Sequence, residues 1–126
     1  MTDVPRPKDL RVPIVEDDVV ISMLVRDMLG DFGCVVAGAA LDLDEALGMI
    51  DGLSFDCAIL DVDLGGAPSF PAADRLRDRD LPFVYATGHR RGVLRPMDRA
   101  TLILHKPFRE QDVIDVLDQL GAQVAG

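Results

Sequence analysis

Several side chains in this 126-residue sequence could do chemistry together, and each stands at or just past the end of an apolar run. Glu16, Asp17 and Asp18 follow Leu10 to Val15, Asp61 follows Cys57 to Leu60, Thr87 follows Leu81 to Ala86, and Lys106 comes just after Thr101 to Leu104. Taken singly, each has an ordinary explanation: the acidic triplet caps a helix, Asp61 and Thr87 end strands, and Lys106 is a surface cation before a proline turn. Taken together they describe a site. Carboxylates converging in one crevice repel one another and raise their pKa values unless a cation sits among them. An all-oxygen set of this kind suits a hard ion, Mg²⁺ or alternatively Mn²⁺. A lysine and a hydroxyl beside the ion would complete a cradle for the oxygens of a phosphoryl group. The central carboxylate, Asp61, could then act as a nucleophile at phosphorus.

Convergence requires elements that bring the run ends to one edge. The runs read as five strands: Leu10 to Val15, Cys34 to Ala40, the run ending at Asp61, Leu81 to Ala86, and Thr101 to Leu104. Pro13 is a misfit in the first strand and marks either its start or a bulge. Between them, Val19 to Phe32 place Val20, Met23, Leu24, Met28 and Leu29 at helical spacing, with Asp17 or Asp18 as N-cap and Gly33 as stop. Asp42, Asp44 and Glu45 open a second helix with Ala46, Leu47 and Ile50 inward. Gly65 to Pro71 read as a flexible loop before a helix of about two turns through Ala73, Leu76 and Arg77. Arg90 to Arg99 are weakly helical at best, because Gly92 and Pro96 interrupt them, and are expected to be the least ordered part of the domain. Arg109 to Leu120 form an amphipathic last helix. Strands alternating with helices predict an α/β, doubly wound, five-stranded parallel sheet with helices on both faces, and in such sheets ligands collect beyond the carboxyl ends of the strands. The expected organisation is a loose tail over 1–9, one domain over 10–122, and a short tail over 123–126.

Composition narrows the function. Thirteen Lys and Arg against 22 Asp and Glu give a formal charge of −9, which repels nucleic-acid phosphates and anionic membranes. Cys34 and Cys57 fall inside apolar runs with neither disulfide nor metal spacing, favouring a reducing, cytoplasmic setting. No basic-then-apolar leader and no run of about 18 apolar residues is present. The expectation is a protein that binds neither nucleic acid nor membrane, with no effector domain appended.

The motifs Val15-Glu16-Asp17-Asp18, Ile59-Leu60-Asp61, Ala86-Thr87-Gly88 and Lys106-Pro107-Phe108 resemble, in order and spacing, the response-regulator receiver domains of two-component signalling. The resemblance implies the flavodoxin-like strand order 2-1-3-4-5. It implies Glu16 and Asp17 as the acidic pair for Mg²⁺, with Asp61 and the backbone carbonyl of Asp63 as further ligands. It also implies Asp61 as phosphoacceptor, Thr87 as switch hydroxyl, Lys106 as phosphoryl-binding cation, and a cis Lys106-Pro107 bond. The donor would be a sensor histidine kinase or histidine phosphotransfer protein, and the output a downstream protein target, with a phosphorylation-dependent dimer as a further form. Tyr85-Ala86-Thr87-Gly88-His89 resembles the Phe-Ala-Thr-Gly-Tyr motif of an alphaproteobacterial subgroup, many of whose members are single domains paired with atypical kinases. Receivers commonly carry an aromatic switch where this chain has Ile103, so Tyr85 or His89 is the candidate replacement. Two competing readings are a haloacid-dehalogenase-like phosphatase using Asp61 and Asp63, and a phosphorylation-independent receiver-like binding module. In the phosphatase family the acidic pair follows the nucleophile, whereas Glu16 and Asp17 precede Asp61.

Overall fold

The computed structural model describes residues 9–88 and 94–125. In chain order the elements are β1 (Arg11–Val15), α1 (Val19–Asp31), β2 (Val35–Ala40), α2 (Leu43–Gly52), β3 (Ala58–Asp61), β4 (Asp63–Leu64), β5 (Ala67–Pro68), α3 (Phe70–Asp78), β6 (Phe83–Thr87), a 3₁₀ turn (Pro96–Asp98), β7 (Leu102–His105) and α4 (Glu110–Ala125). Five strands form a parallel sheet in the order β2-β1-β3-β6-β7, the predicted 2-1-3-4-5 pattern once the small β4–β5 hairpin is set aside. The sheet divides the apolar interior. Val12, Ile14, Ile59, Val84, Ala86 and Leu104 pack against Val25 and Leu29 of α1 and Val113, Leu117 and Leu120 of α4. On the other face Val15, Ala58, Leu60, Phe83 and Tyr85 pack against Ala46 and Ile50 of α2, Ala72, Ala73 and Leu76 of α3, and Leu94.

The local causes are visible in the caps and breaks. Pro13 sits in an inner strand, and the register of β1 against β2 shifts between Val12 and Pro13, the bulge that a residue without an N–H imposes. Asp18 caps α1, accepting from the N–H groups of Val20 (2.9 Å) and Ile21 (3.1 Å). Asp42 caps α2 through the N–H of Glu45 at 2.8 Å. Gly33, at φ 86°, ends α1 and lets Cys34 N–H reach back to Leu29 O.

Three differences from the sequence-based expectations have physical reasons. The stretch after Asp61 is a hairpin rather than a loose loop: Gly65 and Gly66 at φ 64° and 93° form a two-residue turn that pairs Asp63 with Pro68. Secondly, α3 begins at Phe70, with Pro71 in its first turn, where a missing N–H costs nothing. Thirdly, the apolar stripe of α1 is displaced. Ser22, Val25 and Leu29 face the sheet, while Val20 and Met23 are 74% and 56% exposed and Leu24 is also exposed. In addition, α4 runs past Leu120 through Gly121 to Ala125.

Candidate functional site

The parallel register brings the chemistry to one edge. Val15 pairs with Leu60, Asp61 with Ala86, and Thr87 with His105, so Glu16, Asp61, Thr87 and Lys106 emerge beside one another beyond the strand ends. Glu16 N–H bonds to Ala40 O at 3.0 Å and Lys106 N–H to Thr87 O at 3.0 Å, which extends the ladder to the site residues themselves.

Glu16 and Asp61 are nearly removed from water, at 3% and 4% exposure, and Thr87 is buried as well. Lys106 Nζ lies between the two carboxylates, 2.5 Å from Glu16 Oε1 and 2.9 Å from Asp61 Oδ2. The other oxygen of Asp61 accepts from Asp63 N–H at 3.2 Å, and the other oxygen of Glu16 from Asp18 N–H at 3.2 Å. Because Asp18 turns its side chain to the helix cap, Asp17 is left to the site, and Glu16, Asp17 and Asp61 each bring a carboxylate oxygen within 4.8 Å of the others. Asp17 Oδ2 also lies 3.7 Å from where Gly65 would carry a Cβ, so the hairpin turn passes close to this carboxylate. The Asp63 side chain points away into the hairpin, accepting from Gly66 N–H at 2.9 Å.

The electrostatics report an excess of negative charge. Burial, and then the neighbouring Asp61, raise the pKa of Glu16; burial and Glu16 do the same for Asp17. At Lys106 burial opposes the charge, but hydrogen bonds to Glu16 and Asp61 outweigh it and the pKa rises. One ammonium paired with two of three carboxylates leaves the cluster short of cation among the described residues. The all-oxygen donor set and its spacing fit Mg²⁺, a hard ion held by one to three carboxylates with water completing its shell.

Among the remaining sequence candidates, Lys106-Pro107 is cis, as expected. Ile103 is half-buried on the edge strand β7. His89 lies outside the described residues, as do 90–93 of the segment expected to be least ordered. Tyr85 is fully buried, and its hydroxyl donates to Asp98 Oδ1 at 3.0 Å. Asp98 was not singled out in the sequence, since an isolated Asp after Pro96 carries no local signal of burial.

A sequence profile of the response regulator receiver domain matches residues 12–118. The chain belongs to this receiver family. No curated protein matches by sequence. Among solved structures, the response regulator PhyR from Brucella abortus is 26% identical, with a TM-score of 0.82 over 97% of this chain and 54% of that one, so the chain spans about half the length of PhyR. The solution structure of SdrG from Sphingomonas melonis Fr1 is 32% identical, with a TM-score of 0.79 over 99% of this chain and 100% of that one. SdrG from Pseudomonas melonis Fr1 in its BeF₃-activated conformation is 34% identical, with a TM-score of 0.77 over 87% and 95% of the respective chains. PhyR and SdrG come from alphaproteobacteria, in line with the resemblance of the motif around Thr87 to an alphaproteobacterial subgroup. Family membership makes this receiver a signalling domain with an acidic pocket and sets aside the haloacid-dehalogenase-like phosphatase. No helix among the described residues is long and apolar enough to cross a membrane.

Proposed function

We propose that this receiver accepts a phosphoryl group onto Asp61 in a Mg²⁺-dependent reaction and signals by changing which protein it binds. The observation that carries the reading is Lys106 Nζ bridging Asp61 and Glu16 inside a three-carboxylate cluster, with Thr87 brought alongside by the sheet register. Glu16, Asp17, Asp61 and the Asp63 carbonyl would hold the ion, which supplies positive charge against the incoming phosphoryl oxygens.

The chain's own groups do the rest. Asp63 N–H and Lys106 Nζ fix the two oxygens of the Asp61 carboxylate, so the nucleophile is oriented before the donor arrives. One Asp61 oxygen forms the bond to phosphorus as the bond to the donor's leaving group breaks. Lys106 and the Thr87 hydroxyl then each hold one phosphoryl oxygen. Burial of Glu16, Asp61 and Thr87 keeps bulk water from competing for these contacts.

The donor would be a sensor histidine kinase or a histidine phosphotransfer protein. Val19, Val20, Met23 and Leu24 form an exposed apolar row on the first turns of α1, directly beyond the Glu16–Asp18 corner of the site. A helical donor seated on that row would bring its phosphohistidine to Asp61 while burying side chains that otherwise stand in water. The location would be cytoplasmic.

Incubation with a small phosphodonor and Mg²⁺, followed by intact-mass measurement, tests the assignment. The expected result is one acid-labile phosphate, lost in Asp61→Asn and suppressed by EDTA. Unchanged uptake in Asp61→Asn would overturn it, and a wild-type protein that takes up no phosphate would favour the phosphorylation-independent binding module.

A further inference from the structure

Tyr85 and Thr87 leave β6 two residues apart and therefore project from the same face of the sheet, the one packed by α2 and α3. The Tyr85 ring stands edge-on to Phe83 with centroids 5.2 Å apart, as a phenylalanine there could do equally well. What the hydroxyl adds is its bond to Asp98 at 3.0 Å.

Asp98 is 0% exposed, which for a carboxylate demands several donors. Besides Tyr85 it accepts from Arg95 Nε at 2.7 Å on Oδ2 and from Arg95 Nη2 at 3.2 Å on Oδ1, and Arg77 Nη1 forms an ion pair with Oδ1 at 2.8 Å. Arg95 continues into a two-pronged pair with Asp74 of α3, at 2.8 and 3.1 Å, with its guanidinium 4.4 Å over the Phe70 ring. Arg77 lies over Phe83 at 5.1 Å and donates to Thr101 Oγ1 at 2.8 Å. The stretch from Leu94 to Thr101 has one buried apolar residue, Leu94, while Met97 is exposed. It is therefore fastened by charge, to α3 on one side and to the strand of Thr87 on the other.

We propose that the chain Tyr85–Asp98–Arg95–Asp74 is a latch that holds Leu94–Thr101 in its resting place and that phosphoryl binding at Asp61 releases. The inference rests on the reading of Asp61 and Thr87 given above. A phosphoryl group on Asp61 draws the Thr87 hydroxyl toward it and vacates room on the sheet face whose apolar cluster includes Tyr85 and Leu94. Moving Leu94 into that room carries Arg95 with it and breaks its paired geometry with Asp74 and Asp98. The ion pairs exist in one arrangement and not in the other, so the latch is a two-state element biased by the site. The linkage has a direction: whatever shifts the resting equilibrium toward the open latch raises affinity for the phosphoryl group, by at most the factor of that shift.

The test uses the full chain with Mg²⁺ and beryllium fluoride as the phosphoryl mimic, comparing wild type with Tyr85→Phe and with Asp74→Asn. Tyr85→Phe keeps the ring and loses only the hydroxyl, and Asp74 is on the surface of α3, so at least one variant retains the fold. In the free protein, exchange of the Asp98 and Thr101 amides, which bond to Arg95 O and Asp98 O, should quicken in both variants. Affinity for the mimic should rise roughly 5- to 10-fold in each. Faster exchange with unchanged affinity would reduce the network to a structural clamp and overturn the proposal, as would no change in either. A wild-type protein that binds no beryllium fluoride would overturn the Asp61 reading and the coupling with it. Wild-type binding with unaltered affinity in both variants overturns the latch alone.

Discussion

Asp17 and Asp18 stand side by side with opposite employments, and the difference is a matter of direction. Asp18 turns back to accept two N–H groups of α1, while Asp17 is left facing Glu16 and Asp61. Asp18→Ala should lower stability by about 1 kcal/mol in urea unfolding, the usual loss for an N-cap, with Mg²⁺ affinity nearly unchanged. Asp17→Asn should do the reverse: Mg²⁺ affinity, followed by titration of amide shifts, should fall about tenfold or more, while stability in metal-free buffer holds or rises because one repelling charge is gone. The sequence left either aspartate open as the cap, since both stand one turn before the apolar periodicity and local spacing does not separate them. Asp61, Lys106, Thr87 and Glu16 were legible because each stands at or just beyond the end of a strand, where a polar group needs a reason. Asp98 was not, because its partners Tyr85, Arg77 and Arg95 come from three separate stretches and meet only after the sheet is assembled.

At the level of elements, the charge-fastened stretch after Leu94 makes a measurable contribution to acid stability. Burial alone would push the Asp98 carboxyl up, yet Arg95, Arg77 and Tyr85 together hold it down at about 2. The folded value lies below the usual carboxylate value, so folding favours the charged form. Its contribution is complete above about pH 4 and is lost as pH falls toward 2. The size is about 2 kcal/mol. The stability difference between wild type and Asp98→Asn, from urea unfolding at pH 5 and pH 2.5, should therefore shrink at the lower pH. The β4–β5 hairpin makes a second prediction: Gly66, at φ 93°, should not accept a branched side chain, and Gly66→Val should cost about 1–2 kcal/mol in the same assay. The sequence read this hairpin as a loop because its strands are two residues long, too short for alternation to show. The face of α1 was misread for a related reason. Val19 to Leu24 are nearly all apolar, so several stripes fit equally, and only the fit of Ser22, Val25 and Leu29 to the sheet selects one.

Across the whole molecule, a formal charge of −9 combined with three carboxylates in one cleft means that the metal-free fold works against itself. Millimolar Mg²⁺ should raise the melting temperature of the wild type by a few degrees and leave Asp17→Asn nearly unaffected, as scanning calorimetry would show. The same charge predicts no retention of DNA fragments in a gel-shift assay at physiological salt. The topology was legible because the inner strands are mainly apolar, with Arg11 and Pro13 of β1 as exceptions, and because α1 and α2 open on aspartate caps, so local and global signals agreed. The sheet also separates two apolar interiors, one under α1 and α4 and one under α2 and α3. Side chains on opposite faces share few neighbours, so Ile14→Val and Ile50→Val should add in stability to within about 0.5 kcal/mol. Such a protein presents selection with two nearly independent ledgers. Substitutions that accumulate beneath the helices of the α1 side leave the packing around Tyr85 and Leu94 undisturbed, and lineages are free to diversify how this domain is recognised without retuning how it responds.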